Sequence, residues 1–193
     1  MFNFSQVDSL NLRLRTDVHL LRKLWHCGCG LIGLYCYFTS GLSQKEWVPI
    51  VLTLAFVSLT IDILRIRSEK LNRVIMIFMG PFMRESERDS ISGFPFYALG
   101  VGLALAFYEE RVAILAVLFL IFADPISSLV GIKFGKTKIL PNKSLEGSLA
   151  GFFVCFLATA IYSSLSTEFS LKVLIFSVLC GLVGTLSEFL SQK

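Results

Sequence analysis

The residues whose types and spacing could do chemistry lie between Ala123 and Ser148. An acid, Asp124, falls inside an apolar run, and a loop rich in lysine, glycine and serine follows it: Gly131, Lys133, Gly135, Lys136, Lys138, Lys143, Ser144, Gly147 and Ser148. An ionisable side chain in a membrane-type segment is costly and is therefore a candidate functional residue. Glycines let backbone N–H groups approach an anion, lysines supply charge for phosphate, and a carboxylate can hold Mg²⁺ together with substrate phosphates. The stretch predicts a nucleotide-phosphate site at a membrane surface.

The pattern of this stretch also resembles two other things, a basic loop at a helix end and a P-loop. Basic loops with turn glycines are common at the ends of membrane helices, and Asp124 would then be a packing residue. A P-loop is excluded, because only three residues separate Gly131 from Gly135-Lys136-Thr137, where the Walker pattern needs four, and an apolar helix rather than a strand precedes it.

The composition predicts an all-α, polytopic membrane bundle that forms a single integral-membrane domain over residues 1–193. The chain is 54% hydrophobic with 18 phenylalanines, which is typical of a membrane protein. Residues 74–83 are too short to span and predict an interfacial or re-entrant segment, and residues 1–18 predict an N-terminal cytoplasmic arm. Six apolar runs predict transmembrane helices: 22–42, 47–64, 93–108, 111–132, 148–166 and 170–190.

The charges orient this bundle. With the N-terminus in the cytoplasm and six spans, all but three of the 18 lysines and arginines fall on the cytoplasmic side, the exceptions being Lys45, Arg111 and Lys172. This positive-inside bias predicts that both termini are cytoplasmic and that residues 133–147 form a cytoplasmic nucleotide loop. The net charge of +4 follows the spans and gives no indication of nucleic-acid binding. The five cysteines lie in apolar runs without a zinc-type spacing, so neither zinc nor a disulfide framework is expected.

The same topology brings further polar residues to one membrane level. Arg22 and His26 are four residues apart and share a helix face. His26 is a weak candidate base, since histidine titrates near neutral pH, and Arg65 is interpreted more readily as part of a structural ion pair. Basic and acidic side chains at one level are typical of a site that binds an anionic substrate together with a metal ion. The residues at this level are Arg22, Lys23, His26, Asp62, Arg65, Asp124, Glu146 and Glu188.

Taken in order, these residues resemble the CTP-dependent lipid kinases: dolichol kinase, phytol kinase and the yeast-type CTP-dependent diacylglycerol kinase, which are related to phosphatidate cytidylyltransferases. The resemblance covers about residues 20–189. Each motif is short, and their order and spacing carry the resemblance. The matching motifs are Arg22-Lys23-x-x-His26, Asp62-x-x-Arg65, Asn72, Met83-Arg84-x-x-Glu87, Ser92-Gly93, Tyr97, Asp124-Pro-x-x-Ser-x-x-Gly131-x-x-Phe-Gly135, Asn142-Lys143-Ser144-x-Glu146-Gly147-Ser148 and Glu188 after Gly184-Thr185.

The resemblance implies transfer of the γ-phosphate of CTP to the hydroxyl of a membrane lipid at the cytoplasmic face. By position, Arg22 and Lys23 are then essential basic residues on the triphosphate, and Asp124 is the essential acid that holds Mg²⁺ or orients the hydroxyl, with Glu146 as a second metal ligand. Weaker candidates are His26, Asp62, Arg65, Asn72, Arg84 and Glu188. The expected nucleotide-binding residues are Gly131, Lys133, Gly135, Lys136, Lys143, Ser144, Glu146 and Gly147.

Several alternatives stay open at the level of sequence. A cytidylyltransferase acting on phosphatidate would transfer CMP instead, and a lipid-binding or transport protein without catalysis would keep a similar bundle. The family pattern continues past the late glutamate with an Asp-Asp-Asn-x-x-x-Pro stretch, and this sequence ends at Lys193 before it, so we expect either a natural short form or a C-terminal continuation. The lipid, the oligomeric state and the membrane, bacterial inner membrane or endoplasmic reticulum, are not fixed.

Overall fold

The structure, a computed structural model, describes residues 20–140, 143–165 and 170–190. The predicted arm at residues 1–18 lies outside the described residues. The chain divides into two compact units, one up to Glu110 and the other from Arg111 onward. The prediction of an all-α protein is confirmed, with one short hairpin as an addition.

The first unit is built from four helices and two 3₁₀ turns. In chain order they are α1 Leu20–Thr39, α2 Gln44–Arg67, α3 Glu69–Met79, the turns Gly80–Phe82 and Glu85–Glu87, and α4 Gly93–Phe107. Ser43 and Glu46 begin α2 with a capping box, in which Glu46 accepts the Ser43 N–H at 2.8 Å. Helices α2 and α4 pack closely at Gly102, where a Cβ atom would lie 2.6 Å from Leu52 Cδ2.

The second unit contains three long helical segments and the hairpin. The first segment consists of α5 Glu110–Leu118, a π turn Phe119–Ala123 and α6 Asp124–Phe134. The hairpin strands β1 Lys138–Leu140 and β2 Lys143–Ser144 follow it. The second and third segments are α7 Leu145–Ser164 and α8 Leu171–Leu190. Helix α7 packs against both α6 and α8. The antiparallel strands pair Lys138 with Ser144 and Leu140 with Lys143. From the sequence only a loop was expected here. The pairing satisfies backbone N–H and C=O groups that a loop would leave to water.

Four described helices are long and apolar enough to cross a membrane: Gln44–Arg67, Glu110–Phe134, Leu145–Ser164 and Leu171–Glu188. A shorter apolar helix covers Gly93–Phe107. Large apolar side chains face outward on these helices, among them Phe56 at 70% exposure and Phe107 at 78%. A surface of this kind is matched by lipid rather than water. The chain is therefore a membrane protein, while the predicted total of six spans stays a prediction for α1 and α4.

Residues 74–83 form the end of α3 and the turn Gly80–Phe82. At about 1.5 Å per residue, the 11 residues of α3 are too short to cross about 30 Å of hydrocarbon. The buried Met76 and Met83 pack together with Met79 and hold the segment to the first unit. Its predicted depth at the membrane interface stays a prediction.

Candidate functional site

Arg65 is the centre of the polar network in the first unit. Its side chain is fully buried at the end of α2, and its Nε donates to Asp62 Oδ1 at 2.7 Å. Nη1 donates to Asn72 Oδ1 at 3.0 Å and to the Arg88 carbonyl at 2.9 Å, and Nη2 donates to the carbonyls of Glu87 at 2.9 Å and Ser90 at 2.6 Å. A guanidinium group has five N–H donors, and all five are used here. Arg65 therefore has no donor left for a substrate in this arrangement.

Asp62 completes the same network from its second oxygen. Asp62 Oδ2 accepts both the Ser92 N–H and the Ser92 hydroxyl, each at 2.7 Å. Asn72 adds a bond from Nδ2 to the Arg88 carbonyl at 3.1 Å. The weaker candidates Asp62, Arg65 and Asn72 are thus brought together, and what they hold is the segment between α3 and α4. We call this network the Arg65 clamp.

The segment that the clamp holds presents Glu87 to Arg22 of α1. Arg22 Nη1 lies 2.7 Å from Glu87 Oε2, and both side chains are largely buried. Burial raises the pKa of the Glu87 carboxyl, but the hydrogen bond and charge of Arg22, with the Arg84 N–H at 3.1 Å, outweigh it and hold the pKa below its usual value. Gly93 leaves room for this pair, since a Cβ atom there would lie 2.7 Å from Arg22 Nη2.

Glu87 is the residue that sequence reasoning missed as a site candidate. It stood in the motif Met83-Arg84-x-x-Glu87 without a role, because nothing in the sequence relates it to an arginine 65 positions earlier. The other predicted residues of this unit lie inward as well. Lys23 Nζ and Arg84 Nε are buried, and the His26 ring meets the edge of the Tyr97 ring at 4.1 Å between centroids. The first turns of α1 therefore direct their basic side chains into the unit.

In the second unit, the predicted nucleotide-loop glycines lie at the crossing of α6 and α7. A Cβ atom on Gly147 would lie 2.8 Å from the Ser127 carbonyl oxygen and 3.0 Å from Gly131 Cα. A Cβ atom on Gly135 would lie 2.5 Å from Ser144 Oγ. Ser144 caps α7 by accepting the Gly147 N–H at 3.2 Å. The glycines thus serve close packing of the two helices, and their predicted contact with nucleotide stays a prediction.

The charged residues around the hairpin fall into two groups. Glu146 accepts the Thr137 N–H at 3.1 Å on Oε1, and Lys143 Nζ pairs with Glu188 Oε1 at 2.9 Å. These contacts join the hairpin to the start of α7 and the end of α8. Three predicted phosphate-binding lysines have exposed side chains instead: Lys133, Lys136 and Lys138.

Asp124 begins α6 immediately after the π turn. Its N–H donates to the Phe119 carbonyl, five residues back, and its side chain is exposed. Its carboxylate accepts no hydrogen bond from any residue that the structure describes, so its oxygens are available to a ligand. Single π turns inside α-helices occur frequently at functional sites.

Glu188 lies close to the same helix. A Cβ atom on Gly151 of α7 would lie 3.2 Å from both Glu188 Oε2 and Ser127 Cβ, and Ser127 donates to the Asp124 carbonyl at 3.1 Å. Over the described ranges, no group of three or more His, Cys, Asp or Glu side chains is placed to hold a metal ion. A magnesium site made of one or two carboxylates and substrate phosphates needs no such group. The predicted pairing of Asp124 with Glu146 on a metal stays a prediction.

Comparison with known proteins places this geometry in a family. The sequence pattern of a family described as the Cytidylyltransferase family matches residues 13–191. The chain belongs to this family. The predicted resemblance to CTP-dependent lipid kinases is confirmed by this family match together with three curated relatives of the chain.

Two of these relatives are named CTP-dependent diacylglycerol kinase 1. The one from Schizosaccharomyces pombe is 36% identical over 69% of this chain and 62% of its own length. The one from Saccharomyces cerevisiae is 32% identical over 72% of this chain and 48% of its own length. A third, named farnesol kinase, chloroplastic, from Arabidopsis thaliana, is 27% identical over 88% and 59%. The chain thus spans between about half and three fifths of the length of these relatives. No solved structure is significantly similar to it.

Proposed function

We propose that the chain is a membrane lipid kinase that transfers the γ-phosphate of CTP to the hydroxyl of a membrane lipid. The observation that carries the proposal is its similarity, over 69% of its length, to a protein named CTP-dependent diacylglycerol kinase. The structure supports it with two features. One is an acid with available oxygens at the start of α6, the helix that leads into the lysine-bearing hairpin, and the other is a pair of basic residues, Arg22 and Lys23, directed into the first unit.

In the proposed reaction, the lipid hydroxyl oxygen forms a bond to the γ-phosphorus. The bond between this phosphorus and the oxygen that bridges the β- and γ-phosphates breaks, and CDP leaves with that electron pair. The hydroxyl proton passes to a base. Such a reaction depends mainly on positioning and on stabilising charge on the phosphoryl oxygens. In the second unit, the hairpin lysines Lys136 and Lys143 are proposed to supply that positive charge. For Arg22 and Lys23 of the first unit, the same role is proposed from the family resemblance.

The acidic residues fit a divalent cation. Asp124 has a carboxylate without a hydrogen-bond donor among the described residues, and both oxygens of Glu146 keep lone pairs beyond the Thr137 N–H. Oxygen donors of this kind suit Mg²⁺, which supplies neutralisation of the β- and γ-phosphate charge when it is bound. We propose Asp124 as its first ligand and Glu146 as its second.

We propose that the site meets the cytoplasmic face of the bacterial inner membrane or the endoplasmic reticulum, with both termini on that side. The support is the charge distribution, which leaves only Lys45, Arg111 and Lys172 on the other side of a six-span bundle. The lipid and CTP are the proposed partners. CTP is made in the aqueous phase, so the hairpin that carries the lysines must face it.

A second candidate is transfer of CMP to a lipid phosphate, and the description of the matching family favours it. The two reactions differ in the phosphorus that is attacked. Attack at the γ-phosphorus gives a lipid phosphate and CDP, whereas attack at the α-phosphorus gives a CDP-lipid and pyrophosphate. The position of a label in CTP therefore separates them.

The deciding experiment is a transfer assay with the purified full chain. Protein is incubated with γ-labelled CTP, Mg²⁺ and, separately, diacylglycerol, farnesol, phytol and a polyprenol, with γ-labelled ATP as control. Label in one lipid from CTP and not from ATP supports the kinase. A parallel incubation contains phosphatidate with α-labelled or γ-labelled CTP. Label that enters a CDP-lipid from α-labelled CTP, with none transferred to lipid from γ-labelled CTP, replaces the proposal with the cytidylyltransferase. Binding of CTP without transfer of either label indicates a non-catalytic lipid-binding protein.

Asp124→Asn should lower the transfer rate by about a hundredfold or more, because loss of one preorganised charge at a phosphoryl group is of this order. The helix should still form, since the Asp124 side chain makes no described hydrogen bond. The matched control is Asp89→Asn, an exposed acid in the first unit. Equal activity of the two purified variants would rule out Asp124 as the essential acid.

A further inference from the structure

The first unit contains a cavity whose lining, apart from Arg22, has no role in the proposed phosphoryl transfer. Its volume is about 150 Å³, and residues from α1, α2, α3, the turn Gly80–Phe82 and the start of α4 line it. An apolar cavity of about 150 Å³ holds a molecule the size of benzene, that is, about six carbon atoms. It is therefore large enough for a part of a lipid and too small for a nucleotide.

The lining of the cavity has an apolar wall and a polar end. The wall is formed by Ile61, Ile75, Met79, Phe82 and Phe94. At the polar end, the carboxylate of Asp62 is occupied by Arg65 and Ser92, as described for the Arg65 clamp. The lining also includes the polar side chains of Trp25, His26 and Ser58, and its remaining charged groups belong to the Arg22–Glu87 pair.

Beyond its own ion pair, the Arg22–Glu87 pair keeps Arg22 Nη2 as a donor and Glu87 Oε1 as an acceptor. The pair uses Arg22 Nη1 and Glu87 Oε2, and within the described residues Glu87 Oε1 accepts no hydrogen bond. Arg22 Nη2 and Glu87 Oε1 both face Gly93, where a Cβ atom would lie 2.7 Å and 3.6 Å from them. An alcohol has one O–H donor and two lone pairs. It can donate to Glu87 Oε1 while it accepts from Arg22 Nη2.

The same arrangement disfavours other amphiphiles. The carboxylate of a fatty acid would bring negative charge next to Glu87, and like charges at short range repel. A neutral alcohol avoids this repulsion. The apolar wall is also reachable from the bilayer, because Ile61 is 46% exposed on α2, one of the helices long enough to span.

We infer that this cavity binds the acceptor lipid, with its hydroxyl between Arg22 and Glu87 and the adjacent carbon atoms against Ile61, Ile75 and Phe82. The inference rests on the proposed kinase activity and adds to it the place and the chemical class of the acceptor. Diacylglycerol and a prenyl alcohol share this chemistry, a hydroxyl on a hydrocarbon body. The remainder of either lipid stays in the bilayer.

Filling the cavity from two sides tests this inference. Ser58→Phe and Ile75→Trp each add volume to a lining residue, on α2 and α3 respectively. Their matched controls are Thr60→Phe and Ile77→Trp, which lie on the same helices outside the lining. Ser58 and Thr60 both donate their hydroxyl to a carbonyl of the preceding turn at 2.9 Å, so loss of that bond is common to both variants.

With the lipid that the wild type phosphorylates, each filling variant should raise the KM for lipid by about tenfold or more, as expected for loss of a few carbon contacts in a pocket. The KM for CTP should stay within about twofold, since a change in acceptor binding alone leaves nucleotide binding intact. The controls should change neither constant. An unchanged lipid KM in both filling variants, with normal yield of folded protein, would overturn the inference.

A labelling experiment gives a readout that does not require turnover. Analogues of diacylglycerol and of farnesol that carry a photoreactive diazirine near the hydroxyl are irradiated with the full chain, and a diazirine fatty acid serves as the anionic control. Cross-links from an alcohol to residues 58–61, 75–82 or 94, reduced in the filling variants, support the inference and identify which alcohol binds. Cross-links from the fatty acid to the same residues at equal yield, or alcohol cross-links elsewhere only, contradict it. If the wild type is cross-linked at these residues but transfers no phosphate, the cavity binds a lipid alcohol and the proposed kinase activity is wrong.

Discussion

Glu87 shows how a single carboxylate couples the stability of the first unit to pH. Its folded pKa is lowered by Arg22, whereas in the unfolded chain it returns to about 4.5, the usual value for glutamate. For a carboxylate with a lowered folded pKa, the stabilisation is complete above the unfolded pKa and is lost as the pH falls through the folded pKa. The Arg22–Glu87 pair should therefore be intact at neutral pH and weaken only below about pH 4.5.

Glu87→Gln should remove this pH dependence. The wild type in detergent should have a higher Tm than the variant at pH 7, and the difference should shrink as the pH is lowered from 5 to 3, because the protonated carboxyl no longer pairs with Arg22. Thermal unfolding measured across this range checks it. Glu85→Gln is the control, since Glu85 is exposed two residues away. A Tm difference that is constant with pH would mean that the pair does not depend on the charge of Glu87.

At the scale of elements, the Arg65 clamp fixes the segment between α3 and α4. Arg65→Lys keeps the positive charge at the end of α2, and with it the positive-inside signal that orients the helix in the membrane. An ammonium group cannot reach all the side chains and carbonyls that the planar guanidinium binds. Buried acceptors left without a donor cost about 1–3 kcal/mol each in unfolding free energy. The variant should show a clearly lower Tm and a loss of phosphoryl transfer, because Glu87 is no longer held against Arg22.

Arg67→Lys is the matched control for the clamp. Arg67 ends the same helix and is exposed, so its replacement should change Tm little. Thermal unfolding and transfer rates of the two variants are compared in one detergent. Similar Tm values would show that the bonds of Arg65 contribute nothing net to the fold.

The π turn Phe119–Ala123 sets the angular position of Asp124 relative to α5. Deleting Leu120 should convert the turn to regular α-helix and move Asp124 by only a small rotation around the axis, because a π turn accommodates one extra residue within the helix. Transfer of phosphate should fall at least about tenfold while helix content by circular dichroism is kept, since a small misplacement of a catalytic group is costly. Leu120→Ala, which keeps the length, should retain more activity. Full activity of the deletion variant would show that the turn does not position Asp124.

The elements themselves were largely predictable, and their contacts were not. The predicted helix 93–108 corresponds to Gly93–Phe107 in the structure, and the predicted helix 111–132 corresponds to the helical segment that ends at Phe134. These predictions succeed because the extent of a helix follows from the length of its hydrophobic run. The π turn has a uniformly apolar sequence, which carries no local signal for an extra residue in one turn. Arg65 was expected in a structural ion pair, and it forms one. Its carbonyl partners and the Arg22–Glu87 pair join residues far apart in the sequence, which spacing does not reveal.

At the scale of the whole molecule, the predicted orientation can be tested by labelling. In sealed, oriented vesicles, Lys45→Cys should react with a membrane-impermeant maleimide from the outer side, and Lys136→Cys should react only after permeabilisation. The wild type gives the background from its own cysteines. Equal reaction of both variants before permeabilisation would contradict the six-span topology with cytoplasmic termini.

The Arg65 clamp also has a consequence for biosynthesis. The groups that satisfy Asp62 and Arg65, at Glu87, Ser90 and Ser92, come 22 to 30 residues after these two side chains in the sequence. At the other end of α2, Gln44 Nε2 donates to the carbonyls of Leu105 at 2.7 Å and Tyr108 at 2.8 Å, about 60 residues later. While the ribosome is still adding those residues, the polar side chains at both ends of α2 have not yet met their protein partners. Helices α2 and α4 should therefore leave the insertion machinery as a pair, and a nascent chain that stops before Ser92 should be a substrate for membrane quality control.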